Sequence, residues 1–229
     1  MQTSLMASLR NVTAACLLIA SSASAAERGF YVGGLYGEAD KNLEQDPFAN
    51  TALSIYEGFE FSPQQIDSDF ETGDSTYSIF AGYRWLQNLA FEAGFIDLGS
   101  VVYSDEASGI DLVTGAAGTW SQRIASSTSG FSLSALGILP LSYRTEVFVR
   151  GGVLVSNGEL SFRISDGVGS LGQSGSESDV DFLAGAGLGV TFAEIYTLRL
   201  EYQRVFDAGK ASTGEADVDL YALGIAVTF

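Results

Sequence analysis

Any chemistry in this chain must be done without histidine, because none of its 229 residues is one. That removes the side chain that most often shuttles protons near neutral pH. Serines are scattered, and the lysines at 41 and 210 fall in segments that read as loops, so no serine has an evident activating partner. Asp67, Asp69, Glu71 and Asp74 cluster hard oxygen ligands of the kind calcium takes. Their spacing lacks a full calcium-loop pattern, and acidic runs on exposed segments are ordinarily solvated, so no metal is expected. The GxG triplets at 185–189 stand inside a strand pattern, which does not support a phosphate-binding loop. A second set of charges is different in kind. Arg84, Glu92, Glu146, Arg150, Asp181, Arg199 and Glu201 each interrupt an otherwise apolar alternation. Charges placed this way are either perturbed groups of an active site or ion pairs filling a narrow interior, and ion pairs are the reading preferred here.

The elements that carry these charges repeat with a period of two. Residues 217–229 read DVDLYALGIAVTF: Tyr221, Leu223, Ile225, Val227 and Phe229 fall on one face, Ala222, Gly224, Ala226 and Thr228 on the other. Bulky apolar residues against small or polar ones mark a strand that faces lipid, whereas a soluble ligand-binding barrel would place its bulk inside. The same pattern recurs at 29–37, 76–86, 89–98, 145–156, 180–192 and 196–206, and a further strand lies within 126–139 with ambiguous facing. Eight strands allow closure, and an open sheet would leave edge N–H and C=O groups unpaired in hydrocarbon at several kcal/mol each. The expected fold is therefore all-β, an eight-stranded antiparallel up-and-down transmembrane β-barrel. Inward glycines at 185, 187 and 189 leave room for large interior side chains, and Tyr31, Tyr83, Trp85, Phe192 and Tyr196 are placed as an interfacial aromatic girdle.

Residues 1–25 read as a signal peptide: Arg10 ends a short basic region, 12–20 are apolar, and Ala23-Ser24-Ala25 gives the cleavage pattern, so the mature chain is expected to start at Ala26. Cys16 lies inside that apolar run, which leaves the mature chain without disulfides or thiol chemistry. Connections at 87–88, 140–144 and 193–195 are tight, whereas 38–75, 100–125, 157–179 and 207–216 are long and polar and belong outside the cell. The first long segment carries ten acidic residues against Lys41, so these segments hold most of the net charge of −17. The run GVGSLGQSGSES at 167–178 is expected to form a mobile tip.

Four segments in order, GFYVGGLYG (29–37), AGYRWLQNLAFEAGFIDLGS (81–100), RLEYQ (199–203) and LGIAVTF (223–229), resemble the OmpA-type outer-membrane β-barrel domain. The resemblance implies insertion by the outer-membrane assembly machinery, which reads a last strand ending in an aromatic residue; Gly224, Val227 and Phe229 match that pattern. It also implies a buried ionic network built on a glutamate of the third strand and an arginine of the seventh, matched here by Glu92 and Arg199. The network's lysine on strand four has no counterpart, because no charged residue occurs between Arg123 and Arg144; Arg84, Glu146, Arg150, Asp181 and Glu201 remain to complete it. The chain stops at Phe229, so the peptidoglycan-binding domain of larger relatives is not expected.

Enzymes built on related barrels, such as lipid A acylases, phospholipases and omptin-type proteases, rely on a histidine that this chain lacks. No enzymatic activity and no cofactor are expected. Two functions remain open: a structural or surface-interaction protein anchored by the barrel, or a narrow pore for ions or small solutes. Eight-stranded barrels are just wide enough to be filled by side chains, which favours the first. The expected partners are outer-membrane lipid and lipopolysaccharide and the assembly machinery, with the protein a monomer; the acidic surface opposes nucleic acid. N-terminal sequencing of the outer-membrane fraction should give Ala26, and the protein should migrate differently on gels before and after boiling. A soluble or inner-membrane product without heat-dependent migration would overturn the reading.

Overall fold

The computed structural model describes residues 28–41, 45–71, 73–208 and 216–229. The segment expected to be a signal peptide, with Cys16, lies outside them, as does Lys210. In chain order the elements are β1 (Gly29–Lys41), α1 (Gln45–Gly58), β2 (Phe61–Glu71), β3 (Gly73–Leu86), β4 (Leu89–Asp111), β5 (Ala117–Pro140), β6 (Thr145–Ser165), β7 (Ser170–Phe192), β8 (Tyr196–Ala208) and β9 (Ala216–Thr228). All strand pairings are antiparallel. Eight strands close a ring in the order β4-β3-β1-β9-β8-β7-β6-β5, with β5 returning to β4. The seam is β1 against β9, from Tyr31 opposite Thr228 to Lys41 opposite Val218.

The alternation read from sequence sets what faces where. Phe30, Tyr36, Ile79, Trp85, Val149, Phe182, Leu200 and Tyr221 point outward, while Ser78, Glu92, Arg150, Arg199 and Glu201 are buried inside. Strand β5, ambiguous in sequence, turns Ser126, Thr128, Ser132, Ser134, Leu136 and Ile138 inward and Phe131, Leu133 and Leu139 outward. Small hydroxyls rather than charges occupy most of its inner face, which blurred the contrast. The tight connections fall where expected, between β3 and β4, β5 and β6, and β7 and β8.

Three of the long connections are not loops. Strands β4 to β7 run well past the membrane belt, with turns only at 112–116 and 166–169. The Ser/Gly-rich run at 167–178, expected to be mobile, is mostly the first half of β7, paired with β6 from Ser170 onward. On β4 the register shifts between Asp97 and Ser100, around Gly99 with φ of +70°. A left-handed residue is readily supplied by glycine. The bulge is held by Gly99 N donating to Asp97 Oδ1 (2.9 Å) and by Lys41 Nζ donating to the Gly99 carbonyl (3.0 Å). Here β3 stops pairing with β4, at Tyr77 opposite Asp97, and β2 takes its place from Glu71 opposite Val102. A one-residue bulge reverses parity, so the alternation beyond 97 does not continue the pattern before it.

Helix α1 lies on the face of β5 that lines the lumen lower down. Phe48, Ala49, Ala52, Ile55 and Tyr56 share one helical face, and they pack with Phe61, Phe70, Tyr103, Ala107, Ile124, Phe162 and Ile164. Burying a large apolar side chain such as Phe61 contributes about 1.5–3 kcal/mol, enough to order a short helix that would not be stable alone.

The two outer turns are closed by carboxylates. Asp111 Oδ1 accepts from Thr114 N (2.8 Å) and Val113 N (2.9 Å), and Asp166 Oδ1 from Gly169 N (2.7 Å) and Val168 N (2.9 Å). The backbone bond from Thr114 chiefly, then Val113, holds Asp111 below its ordinary range; those from Gly169 and Val168 do the same for Asp166. A folded-state value below the unfolded one means the stabilisation is present above the ordinary aspartate pKa of about 3.9 and is lost as pH falls through the folded value. Hydrogen exchange at Val113, Thr114, Val168 and Gly169, corrected for intrinsic rates, should therefore lose protection below about pH 4. Asp111→Asn and Asp166→Asn, which keep a neutral acceptor, should flatten that dependence. Unchanged protection in the wild type down to the lowest pH would contradict it.

Candidate functional site in the barrel lumen

The inner faces of three strands converge on one charge cluster. Glu92 of β4, Arg150 of β6, and Arg199 and Glu201 of β8 form a closed square in which signs alternate. Arg150 meets Glu92 at 2.5 Å and Glu201 at 2.6 Å; Arg199 meets Glu92 at 2.7 Å and Glu201 at 3.2 Å. Each guanidinium fork spans both carboxylates, a geometry that suits arginine and that lysine cannot reproduce. Tyr31 adds its hydroxyl, donated to Glu92 Oε1 at 2.7 Å. The sequence pattern had Tyr31 in the outer girdle; the alternation of β1 instead turns it inward, opposite Gly82 of β3. Phe192 and Tyr196 do stand outside at the rim, stacked at 5.6 Å.

Glycine makes the square possible. The Arg199 guanidinium lies between the rings of Phe80 (4.8 Å) and Phe148 (4.5 Å). Phe80 occupies the space a Cβ would take at Gly33, Phe148 that at Gly187, and Tyr31 that at Gly82. Three missing side chains thus admit three rings, and two of the rings clamp the cation. Phe80 and Phe148 were not singled out in sequence. Their signal was the glycine directly opposite on the neighbouring strand, Gly33 for Phe80 and Gly187 for Phe148, readable only once the register is known.

The other interior charges stand apart. Arg84 and Glu146 pair with each other at 2.7 Å nearer the periplasmic end, where Arg84 also donates to the Gln87 carbonyl. Asp181 is buried opposite Leu154, two inward positions above Arg150 on β6, and is not part of the square. Below the square a cavity of roughly 240 Å³ is lined by Tyr31, Arg84, Glu92, Glu146, Phe148 and Arg199 among others. Above it Ala39, Ile96, Leu98, Leu154, Leu183, Val205, Val218 and Leu220 form one buried apolar cluster, at whose height Asp181 and Ser156 are buried as well.

A second polar group seats the helix over the outer mouth. Tyr56 of α1 donates to Asp105 Oδ1, and Gln122 Nε2 donates to Asp105 Oδ2 (3.1 Å) and to the Ala52 carbonyl (3.0 Å). Burial raises the Asp105 carboxyl, against the opposing bonds from Tyr56, Tyr103 and Gln122. Burial and then the Asp105 charge push Tyr103 up to about 12. Among the described residues no group of three His, Cys, Asp or Glu side chains could hold a metal ion. Glu92, Arg150, Arg199 and Glu201 are committed to one another, an arrangement that fills space and neutralises charge.

A sequence model of the OmpA-like transmembrane domain matches residues 25–229. No curated protein sequence matches the chain. Among solved structures, Neisserial surface protein A is similar with 15% identity and a TM-score of 0.48, covering 88% of this chain and 97% of that one. The N-terminal β-barrel domain of OprF from Pseudomonas aeruginosa has 12% identity and a TM-score of 0.44 over 88% and 98%. Ail of Yersinia pestis, solved with the heparin analogue sucrose octasulfate, has 12% identity and a TM-score of 0.39 over 88% and 97%.

Replacing Arg199 by alanine leaves Glu92 and Glu201 sharing Arg150 in a confined space. Breaking a buried pair from one side costs about 3–5 kcal/mol, because a charge is left uncompensated. Urea unfolding in liposomes should show a loss of that order for Arg199→Ala, and Glu92→Gln in the same background should recover part of it. A double-mutant cycle gives the coupling directly. Strictly additive effects would contradict the square.

Proposed function

The chain belongs to the OmpA-like transmembrane domain family, and we propose that in the outer membrane it serves as a closed anchor presenting a folded, acidic platform to the exterior. The observation that carries this reading is the filling of the lumen at successive heights. The ionic square is capped by the apolar cluster around Leu98, Leu154 and Val205, and α1 lies over the inner face above them. A continuous water path would have to break both layers. The alternative, a narrow pore, has in its favour only the cavity under the square, and that cavity ends at Glu92 and Arg199.

What projects outward supports a surface role. Beyond the belt, β2 and the extensions of β4 to β7 form an open sheet that carries α1 on one face. Glu57, Glu60, Asp67, Asp69 and Glu71 lie on this platform, which supports a surface that meets other molecules. The family's assembly route is proposed here too. Gly224 and Val227 lie on the closing strand β9 and Phe229 directly follows it; Phe229 N donates to the Phe30 carbonyl at 2.9 Å, and Gly224 lies where a side chain would strike the Gly34 carbonyl of β1. Outer-membrane lipid surrounds the belt, and the working unit is taken as a monomer.

Single cysteines test the presentation, since the only native one lies in the leader. Val168→Cys replaces a residue 98% exposed in the β6–β7 turn, and Tyr143→Cys one 88% exposed in the opposite β5–β6 turn. An impermeant maleimide applied to intact cells should label position 168 and leave 143 unlabelled until the membrane is broken. The reverse pattern would overturn the reading. Phe229→Ala keeps the backbone bond to Phe30 and removes the ring, so lower outer-membrane levels with normal mRNA would support the ring as an assembly signal; wild-type levels would reject it.

A further inference from the structure

We propose that Arg123 and Arg163 form a phosphate-binding pair for the saccharide of the outer-leaflet glycolipid beside the barrel. The inference rests on the outer-membrane anchor reading and adds a ligand and a site. Arg123 of β5 and Arg163 of β6 are direct register partners on the outward face of the extracellular sheet, and both are exposed. Like charges set directly opposite each other in a sheet repel. The chain carries a net charge of −17, and Arg163 and Arg123 are two of only nine arginines. Among the described residues no ion pair includes either one, although Asp69 and Glu106 border the same cleft. A cross-strand arginine pair without a carboxylate partner is relieved by one shared anion.

The surroundings supply room and donors for it. Both arginines line an open cleft of roughly 660 Å³ on the β2 side, with Ser104 and Ser121. Both also line a second cleft of roughly 590 Å³ on the β7 side, with Ser161, Ser170 and Ser174. Gly172 stands opposite Arg163 on β7 and places no side chain over it. Planar forks beside hydroxyls match the oxygens of a phosphate ester.

Position decides the source. The outward face carrying the pair continues the lipid belt of Phe131 and Leu133 on β5 and of Val149 and Val155 on β6. Eight residues separate Val155 from Arg163, which at strand rise and barrel tilt is roughly 20 Å above the apolar belt. At that height beside an outer-membrane barrel stand the sugars and phosphates of the glycolipid, not acyl chains.

The test uses the mature protein folded in nanodiscs containing glycolipid with phosphorylated or dephosphorylated core sugars on identical acyl chains. Bound glycolipid is counted by native mass spectrometry, and heat-dependent gel migration verifies folding of each variant. Wild type should retain the phosphorylated form roughly tenfold better than the dephosphorylated form, and Arg123→Gln with Arg163→Gln should abolish the preference. Equal retention by wild type and the double variant would overturn the site. Lipid-free phosphorylated core oligosaccharide binding as tightly as the intact glycolipid would reassign the source to a free glycan and equally overturn the proposal. Labelling at position 168 in cells reports on the anchor reading separately, so a normal labelling pattern with no phosphate preference rejects the site alone.

Discussion

In hydrocarbon every backbone N–H and C=O must find a partner within the protein, and the β1–β9 seam is where this chain meets that demand. From Tyr31 opposite Thr228 to Lys41 opposite Val218 the first and last barrel strands close the ring, which leaves the belt without an unpaired edge. Closure fixes the rest. Eight strands give an interior only wide enough for side chains, and strict alternation sends every second residue into it. What the interior holds is therefore a packing problem with charges in it, solved by whichever inward residues share a height.

The solution runs from glycine to aromatic to cation to carboxylate. Gly33 and Gly187 make space for Phe80 and Phe148, which enclose Arg199. Arg199 and Arg150 then hold Glu92 and Glu201 in a square of alternating sign. A buried ion pair is a weak source of net stability, because desolvation offsets attraction. Its value here is specificity. A register slip of one residue on β4, β6 or β8 would carry its charges from the lumen into lipid, so the square favours one closure over its neighbours. The apolar cluster above adds the hydrophobic contribution that the square does not.

Much of the barrel was legible in the sequence, and the reasons for the remainder are local. Residues 196–206 and 217–229 alternate cleanly because their strands face lipid outside and a mixed interior within. The resemblance singled out Glu92 and Arg199, but nothing in the sequence separated Arg150 and Glu201 from Arg84, Glu146 and Asp181, since height along the axis depends on register. Tyr31 was misplaced because an aromatic near a strand end suits either the girdle or the lumen, and only its parity relative to Phe30 and Val32 decides. The extracellular platform was missed for a different reason. The bulge at Gly99 shifts the phase of β4, the outward face of the extensions is serine-rich, and the apolar face of α1 covers little more than two turns amid acidic residues. Each signal was too short to stand alone, and together they order one another.

On the proposed anchor reading the filled lumen carries no steady ion current, which single-channel recording of the purified, refolded protein in planar bilayers measures. The expected result is no steady conductance from the wild type, with openings appearing only when Arg199 is replaced by alanine. A long-lived open state in the wild type, unaffected by that substitution, would contradict the sealed lumen and return the protein to the class of narrow pores.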